Sequence, residues 1–327
     1  MEYRQLGNTD LTLSVITFGT WATGGWMWAS TDRRVAVKAI RTAYDEGVTS
    51  FDTAPIYGQG ESEEILAQAL EMVARDKIQI LTKFGMRWDL AKGDFAFKSK
   101  DNSGRPIDIY KYAGKESVIK ECEDSLRRLR TDYIDLYQIH WPDKTTPLSE
   151  TFEAVERLIE QGKVRYAGVC NFDAKLVEET SKLIPLVSDQ IPYSMVNRGM
   201  DKETIPYCMK HGKSVLAYSP MERGLLTGKM TPGYKFAEGD HRATNPYFTD
   251  ESIIKTNAFL DRLKPLALEK GVSLAQLVLR WTADHPGVTI VLAGARDWEQ
   301  AMFNAHAARI KLTAEDIAFI NKQIETL

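Results

Sequence analysis

Four side chains that could carry acid–base chemistry stand at or just beyond the ends of predicted strands. Asp52 ends a short apolar segment, Tyr57 follows it in a loop that begins at Pro55, Lys83 ends a second segment, and His140 ends a third. An unpaired carboxylate is costly to bury, so we expect Asp52 to meet a cation, and Lys83 is the candidate. The carboxyl ends of the strands of a parallel barrel share one rim, where all four side chains could converge.

Together these side chains would form a tuned proton donor. A free tyrosine titrates at about 10, which makes it a weak acid for a developing alkoxide at neutral pH. An adjacent ammonium favours the phenolate, so we expect Lys83 to lower the pKa of Tyr57 and Asp52 to keep Lys83 charged. His140 could donate or accept a hydrogen bond at the same oxygen and orient a carbonyl. No metal is needed for this chemistry, and the histidines show no metal-ligand spacing.

Taken singly, each residue also has a structural explanation. Lys83 could be a solvated charge at a strand end, Tyr57 a loop aromatic, and His140 a hydrogen-bonded core histidine. Five of the seven tryptophans fall on predicted loops at the same rim, and we assign them to the substrate pocket: Trp21, Trp26, Trp28, Trp88 and Trp141. An aromatic wall could select a carbonyl compound by shape or stack on a sugar ring. Some of these tryptophans could instead plug the barrel mouth.

Composition excludes several classes of protein. The chain has 327 residues, 43% of them hydrophobic, and a formal net charge of -3. This balance argues against a nucleic-acid binder, and no apolar run is long enough to predict a membrane span. Cys122, Cys170 and Cys208 are too few and too far apart for a disulfide framework or a zinc-ligand pair. The first residues lack the apolar segment of a secretory signal. We therefore expect a soluble, cytoplasmic protein, and nothing in the sequence indicates its oligomeric state.

The elements that must position these side chains alternate regularly. A hairpin over residues 3–16 precedes eight predicted strands separated by helices, which favours a parallel sheet closed into a (β/α)8 barrel. An open doubly wound sheet is the alternative, but no Gly-x-Gly-x-x-Gly follows a strand. Two long connections, Phe84 to Ala113 and Ser219 to about Ser252, leave the third and seventh strands and are predicted to be binding loops. We predict one domain over residues 1–327.

Several motifs resemble those of the aldo-keto reductases. They are Phe51-Asp52-Thr53-Ala54 with Tyr57-Gly58, Thr82-Lys83, Ile139-His140, Gly168-Val169-Cys170-Asn171, Tyr218-Ser219-Pro220 and Gly294-Ala295-Arg296. Their order and spacing match from the hairpin to about Asn304. Within the family, the chain is most similar to bacterial NADPH-dependent members with long loops after the third and seventh strands.

The resemblance implies an oxidoreductase that reduces an aldehyde or ketone, including sugar- or polyol-derived carbonyls, with NADPH. It implies that Tyr57 is the proton donor, that Lys83 and Asp52 tune it, and that His140 orients the carbonyl. The expected partner is a small-molecule carbonyl substrate, with no nucleic acid and no membrane. The physiological substrate, the preferred direction and the strictness for NADPH over NADH are not indicated by the sequence.

The resemblance also implies a cofactor site. Asn171 and Gln190 would hold the nicotinamide carboxamide, Tyr218 would stack on the ring, and Arg296 would meet the 2′-phosphate, whose charge suits a guanidinium. The implied cofactor-binding residues are Gly19, Thr20, Trp21, Asp52, Asn171, Gln190, Tyr218, Ser219, Pro220, Leu225, Gly228, Lys229, Gly294, Ala295, Arg296, Gln300 and Asn304. Two residues depart from the family pattern. Cys170 replaces a common serine beside the carboxamide, and Phe303 replaces a glutamate that faces adenine in many relatives.

Two other functions remain open. A Schiff-base aldolase on the same barrel would use Lys83 as its nucleophile, although such a lysine must be partly neutral and Asp52 favours its charged form. Alternatively, a barrel of this family could sense NADPH and regulate a partner, as potassium-channel β-subunits do.

Overall fold

The computed structural model describes residues 1–28, 32–237 and 239–327 and contains a closed barrel. In chain order, the strands are Tyr3–Gln5 (β1), Thr12–Ser14 (β2), Ile16–Gly19 (β3), Ser50–Asp52 (β4), Gln79–Phe84 (β5), Met86–Arg87 (β6), Asp94–Lys100 (β7), Pro106–Lys111 (β8), Ile134–Ile139 (β9), Val164–Cys170 (β10), Leu186–Pro192 (β11), Ser214–Tyr218 (β12) and Val288–Gly294 (β13).

Strands β3, β4, β5, β9, β10, β11, β12 and β13 pair in parallel, each with the next, and β13 returns to β3 to close the barrel. The register aligns Gly19 with both Gly294 and Asp52, and it aligns Lys83 with Gln138. The carboxyl ends of the strands therefore form one rim, and the predicted (β/α)8 barrel with its N-terminal hairpin is confirmed.

The hairpin β1–β2 closes the opposite, amino-terminal end of the barrel. Its residues hydrogen-bond the first residues of barrel strands: Ser14 N donates to Ser50 Oγ over 3.0 Å, and Gly7 N to Ser214 Oγ over 2.8 Å. Leucines of the hairpin pack with inward-facing strand residues in one buried cluster that includes Leu6, Leu11, Leu13, Leu81, Leu136, Leu216 and Ile290. The hairpin therefore covers the end of the barrel opposite the carboxyl rim.

Helices surround the barrel on its outer face. They span Arg33–Asp45 (α1), Glu61–Ala69 (α2), Lys115–Leu129 (α3), Leu148–Glu160 (α4), Ala174–Ser181 (α5), Thr204–Lys210 (α6), Asp250–Glu269 (α7), Leu274–Asp284 (α8), Trp298–His306 (α9) and Ala314–Ile324 (α10). Side chains cap the amino-terminal ends of several helices. Asp32 accepts a hydrogen bond from Arg34 N at the start of α1, and Ser273 forms a capping box with Gln276 at the start of α8. No helix in the described ranges is long and apolar enough to cross a membrane.

The connection after β5 is not the irregular loop that we predicted. Residues 86–111 form a three-stranded antiparallel sheet in the order β6-β8-β7, outside the barrel. The segment Asp94–Lys100 alternates apolar or small residues with exposed ones, a strand pattern that its flanking polar residues obscure. This sheet stands beside the carboxyl rim.

The connection after β12 also carries more structure than predicted. Short 3-10 helices lie at Glu222–Thr227, His241–Thr244 and Pro246–Phe248, before α7. Helix α7 was not predicted, although its buried residues repeat at helical spacing: Ile253, Thr256, Phe259, Leu260 and Leu263. Pro265 inside α7 weakens the sequence signal because proline lacks a backbone donor. The assignment of residues 1–327 to one domain stays a prediction.

Candidate active site

The four predicted acid–base side chains lie together at the rim. Lys83 Nζ donates to Asp52 Oδ1 over 2.6 Å, to Thr53 O over 2.9 Å and to Tyr57 Oη over 3.4 Å. The His140 ring stands edge-on to the Tyr57 ring, with the ring centroids 5.7 Å apart. Lys83 is 0% exposed and Asp52 is 3% exposed, so water does not screen their ion pair.

Strand alternation explains why Lys83 points inward. Leu81 packs in the barrel interior, whereas Ile80 and Phe84 pack against the surrounding helices. Side chains two residues apart share a face of a strand, so Lys83 shares the interior face with Leu81. Tyr57 reaches the same point from a tight turn. A Cβ on Gly58 would lie 2.4 Å from Gly24 O, and Gly58 has a φ of +68°, so this turn requires glycine.

The electrostatics of Tyr57 differ from the prediction. Burial raises the pKa of Tyr57 to about 12, against the lowering influence of Lys83. Lys83 therefore acts in the expected direction, but loss of water around a phenolate outweighs it, and Asp52 adds to the rise. The prediction that the pKa of Tyr57 lies below its ordinary value is wrong for the cleft as it stands. The phenol is protonated at neutral pH and available as a donor.

Lys83 is charged, whereas His140 is neutral. Burial opposes the ammonium of Lys83, but Asp52 and Tyr57 together raise the pKa of Lys83 above its ordinary value. Burial, assisted by the charge of Lys83, holds the pKa of His140 well below its usual range. The site therefore presents an ammonium, a phenol and a neutral imidazole next to one another.

Asp52 receives a second donor from across the barrel. Gln190 Nε2 donates to Asp52 Oδ2 over 2.8 Å, and also approaches Gln138 Oε1 at 3.4 Å. Gln138 is buried in the interior and was not anticipated from the sequence. Its alternation with Leu136 on β9 is the signal that could have placed it there.

A cleft of about 840 Å³ opens above this group. Most of the predicted site residues line it: Gly19, Thr20, Trp21, Trp26, Trp28, Asp52, Tyr57, His140, Trp141, Asn171, Gln190, Tyr218, Ser219, Pro220, Lys229, Gly294, Arg296, Gln300 and Asn304. Residues that are distributed over the whole chain thus share one cavity whose size is typical of cofactor and ligand sites.

Five predicted residues do not line the cleft. Lys83 lies behind Asp52 and Tyr57 and contacts both of them. Leu225 packs in a separate buried cluster, and Ala295 packs between the barrel and its helices. Gly228, with a φ of +70°, lies against Leu274 in the connection after β12. Trp88 packs against a cluster of apolar side chains beside the site but does not reach the cleft wall.

Asn171 joins His140 to Tyr218. Asn171 Nδ2 donates to His140 O over 2.9 Å, and Tyr218 Oη donates to Asn171 Oδ1 over 2.8 Å. Asn171 has a φ of +62°, a backbone conformation that asparagine tolerates better than most residues. Neighbouring Cys170 is fully buried, and burial raises the pKa of its thiol well above the usual value. It is therefore a neutral packing group rather than a nucleophile.

The cleft also holds residues that the sequence analysis did not assign to it. They are Ala22, Met27, Ile56, Met86, Phe97, Met221, Arg223, Gly224, Thr227, Met230, Tyr234, Arg242, Ser273, Leu274, Ala275, Leu292 and Phe303. Phe303 was singled out only as a departure from the family pattern. Several of the others lie in the two long connections, where the sequence has no regular periodicity from which the inward-facing side chains could be predicted.

Four cations line the cleft: Arg223, Lys229, Arg242 and Arg296. Arg242 is firmly held, because its Nε and Nη2 donate to Asp240 over 3.0 and 2.6 Å and its guanidinium lies 4.8 Å from the Trp28 ring. In the described part of the chain, the buried Nε of Arg223 has no hydrogen-bond partner. Arg223 and Arg242 already have Glu222 and Asp240 beside them, so an anionic ligand such as a phosphate would best match Lys229 and Arg296.

The backbone around Arg223 is strained. Glu222, Arg223 and Gly224 have φ values of +42°, +53° and +98°. Consecutive residues in this region are unfavourable unless surrounding contacts impose them, and they concentrate at ligand clamps. Arg242 supplies such a contact, since its Nη1 donates to Arg223 O over 3.2 Å. The segment 222–224 is therefore a candidate clamp for a bound dinucleotide.

The two connections meet over the cleft. His241 Nδ1 is 2.9 Å from Met27 O, and the His241 ring lies 4.8 Å from Trp21 and 5.0 Å from Trp28. The tryptophans after β3 are thus packed against the connection after β12. A cleft lined by the amides of Asn171 and Gln190 and by four cations fits a nicotinamide dinucleotide.

Comparison with known proteins agrees with this geometry. The Aldo/keto reductase family model matches residues 15–325. An aldo-keto reductase of Bacillus subtilis, YhdN, is 37% identical over 99% of this chain and 94% of its own length. The NADH-specific methylglyoxal reductase of Escherichia coli is 36% identical over 100% of this chain and 99% of its own.

Solved structures give the same result. The glycerol dehydrogenase AKR11B4 from Gluconobacter oxydans superposes with a TM-score of 0.87, at 35% identity over 98% of this chain and 94% of its own. An aldo/keto reductase from Klebsiella pneumoniae, solved in complex with NADP and acetate, has a TM-score of 0.74 at 28% identity and covers 98% of this chain and 95% of its own.

Proposed function

The chain belongs to the aldo/keto reductase family of oxidoreductases, and on that premise we propose that it reduces an uncharged aldehyde or ketone with NADPH, using Tyr57 as the proton donor. The observation that carries this proposal is the contact sequence Asp52–Lys83–Tyr57 at the base of the cleft, with Lys83 Nζ 2.6 Å from Asp52 Oδ1 and 3.4 Å from Tyr57 Oη. His140 stands beside Tyr57 in its neutral form.

Each of these side chains would have its own role in the reaction. A reduced nicotinamide, when bound, would supply the hydride to the carbonyl carbon. Tyr57 would donate its proton to the carbonyl oxygen, and the Lys83 ammonium would stabilise the phenolate that remains. Neutral His140 would hold the carbonyl oxygen by a hydrogen bond without competing as an acid. Asp52 would keep Lys83 charged throughout.

The proposed cofactor is NADPH. Arg296 is exposed at the far end of the cleft next to Gln300 and Asn304, where a guanidinium could receive a 2′-phosphate. The relative from Klebsiella pneumoniae was solved with NADP, whereas the one from Escherichia coli is described as NADH-specific. Preference for NADPH is thus a distinct part of the proposal.

The proposed substrate is uncharged because the cleft around Tyr57 offers no free charge. Among the described lining residues, its neighbours are aromatic or aliphatic, including Trp21, Ile56 and Met86, and the one acid, Asp52, is neutralised by Lys83. A carboxylate or phosphate on the substrate would lose its water without gaining a partner there. Methylglyoxal and glyceraldehyde, small oxygenated carbonyls, are natural members of a first substrate panel.

The test is turnover of a panel of aldehydes, ketoses and inososes, followed by loss of NADPH absorbance. Tyr57→Phe should lower kcat by about 10²- to 10⁴-fold, while NADPH fluorescence still reports cofactor binding. Tyr3→Phe, at the opposite end of the barrel, is the matched control and should retain activity. Near-native turnover by Tyr57→Phe would exclude the proton-donor role. Tight NADPH binding without turnover of any carbonyl would favour the cofactor-sensing alternative.

The Schiff-base alternative makes a different prediction. It needs a partly neutral Lys83, but Asp52 and Tyr57 raise the pKa of Lys83 despite its burial. Treatment with borohydride in the presence of an aldehyde should therefore leave the mass of the protein around Lys83 unchanged. A trapped adduct on Lys83 would support the aldolase instead.

A further inference from the structure

A β-bulge lies in the sheet outside the barrel. In the pairing of β7 with β8, Phe95 is opposite Tyr110 and Phe97 is opposite Ile109, so two steps along β7 match one step along β8. Ala96 is therefore the extra residue. An extra residue changes which face of the sheet the following side chains occupy, and bulges beside active sites commonly redirect a side chain in this way.

The bulge sends two phenylalanines of one strand to opposite faces. Phe95 is 49% exposed and its ring stands edge-on to Tyr110 at 5.7 Å. Phe97 is partly buried and lines the cleft. In a regular strand, residues two apart would share a face, so the presence of Phe97 in the cleft depends on the extra residue at Ala96.

Phe97 packs against a tryptophan from the loop after β3. The rings of Phe97 and Trp26 stack at 6.2 Å with an interplanar angle of 18°. Trp26 Nε1 donates to Ser99 Oγ over 3.2 Å and to Lys100 O over 3.1 Å, on the same strand as Phe97. A ring pair whose polar atom is anchored in this way cannot easily turn aside for a ligand.

The space between this pair and Tyr57 is apolar. Ile56 and Met86 are buried in one cluster with Trp26, and Tyr57 and Phe97 both pack against that cluster. Phe97 and Tyr57 both line the cleft, and the apolar side chains of Ile56 and Met86 line it with them. A substrate whose carbonyl is at Tyr57 would extend its remaining carbon atoms toward Phe97 and Trp26.

We propose that Phe97 is a specificity-determining residue, which limits how far an uncharged substrate can extend from its reacting carbonyl. This inference rests on the proposed function, because it assumes that the carbonyl is bound at Tyr57. The limit on substrate length is thus set by a strand outside the barrel and by the bulge at Ala96, and not by the residues that perform the chemistry.

The test compares kcat/KM over linear aldehydes from propanal to octanal. Phe97→Ala should raise the ratio of octanal to propanal at least about tenfold, since each methylene group that gains apolar contact improves binding severalfold. Phe97→Trp should move the preference toward shorter chains. Phe95→Ala removes the same side chain two residues away, on the outer face, and should leave the wild-type length profile unchanged.

Binding provides a readout that does not need turnover. Linear alcohols of increasing length can be titrated in the presence of NADP+, following protein fluorescence, and Phe97→Ala should bind the longest alcohols at least about tenfold more tightly than the wild type. If the wild type reduces no aldehyde but Phe97→Ala still shows this shift in binding, the proposed function is wrong and the role of Phe97 in limiting ligand length stands. An unchanged length dependence in Phe97→Ala, or an equal change in Phe95→Ala, would overturn the role of Phe97.

Discussion

Gln190 Nε2 donates to Asp52 Oδ2 over 2.8 Å, on the carboxylate oxygen that Lys83 does not use. The amide that was expected to face the nicotinamide carboxamide thus also holds the acid of the ion pair. Because its nitrogen is engaged by Asp52 and approaches Gln138, Gln190 has its Oε1 acceptor left for a ligand. Each carboxylate oxygen of Asp52 accepts a hydrogen bond, which explains how a charged carboxylate can be buried at the carboxyl rim.

Removal of the acid should therefore destabilise the fold. Asp52→Asn would leave a buried ammonium without its counter-charge, and we expect a loss of roughly 3–5 kcal/mol in the free energy of unfolding. Urea denaturation followed by circular dichroism measures it. Asp261→Asn, in an exposed pair with Lys264, should change stability by less than about 1 kcal/mol.

A double variant distinguishes loss of the ion pair from loss of packing around Asp52. Asp52→Asn combined with Lys83→Met should recover much of the lost stability, because no buried ammonium then lacks a partner. If the double variant is as unstable as Asp52→Asn alone, packing around Asp52 and not the ion pair determines the effect.

The pH dependence of alcohol oxidation should report on Lys83. In that direction Tyr57 must accept a proton, and the ammonium lowers the pKa of a phenol whose pKa burial has raised to about 12. Lys83→Met removes the lowering influence, so the alkaline rise in rate should move to higher pH and the rate at pH 9 should fall by at least about tenfold. Initial rates from pH 7 to 11 test this. Because pH 7–11 lies below both pKa values, the two profiles should rise in parallel with Lys83→Met the slower, and an unchanged rate at pH 9 would contradict the role of Lys83.

Cofactor preference should depend on Arg296. Arg296→Ala should lower kcat/KM for NADPH by roughly 10- to 100-fold, because that is the typical contribution of one hydrogen bond to a charged group. The kcat/KM for NADH should stay within about threefold of the wild-type value. Arg34→Ala, an exposed arginine on α1, is the control. An unchanged ratio of NADPH to NADH in Arg296→Ala would remove the proposed contact with the 2′-phosphate.

Stability should fall as pH rises through neutrality because of Glu121. Burial raises the pKa of Glu121 to about 7, although Arg87 and the backbone N–H of Gly85 favour its charged form. The folded protein then binds a proton more tightly than the unfolded chain, whose glutamates titrate at about 4.3. This contribution is complete below about pH 4 and is lost as pH rises through about 7, by roughly 2–4 kcal/mol.

Glu121→Gln keeps an acceptor for Gly85 but cannot ionise, so its stability should vary less between pH 5 and 8. Urea unfolding at several pH values measures this, with Glu116→Gln, an exposed neighbour on α3, as the control. Equal slopes for wild type and Glu121→Gln would show that Glu121 does not set the pH dependence.

The barrel and the meeting of its acid–base side chains at one rim could be predicted because their signals are local. Apolar segments that end in Asp52 and Lys83 alternate with helices, so strand order and a common rim follow from the chain alone. The side chain of Gln138 was missed because both faces of β9 are buried, so its alternation with Leu136 shows a shared face but not which face lines the barrel interior. Phe97 was missed because a single extra residue, Ala96, decides its face, and bulges leave little trace in composition.

The amino-acid sequence by itself determined the order of strands and helices, the family, and the residues that could form a proton donor at the rim. Only the tertiary structure decided the balance between burial and charge at Tyr57, the use of Gln190 by Asp52, and the entry of Phe97 into the cleft. The reason is physical: desolvation and side-chain direction depend on atoms that are brought together by folding, and spacing along the chain does not contain that information.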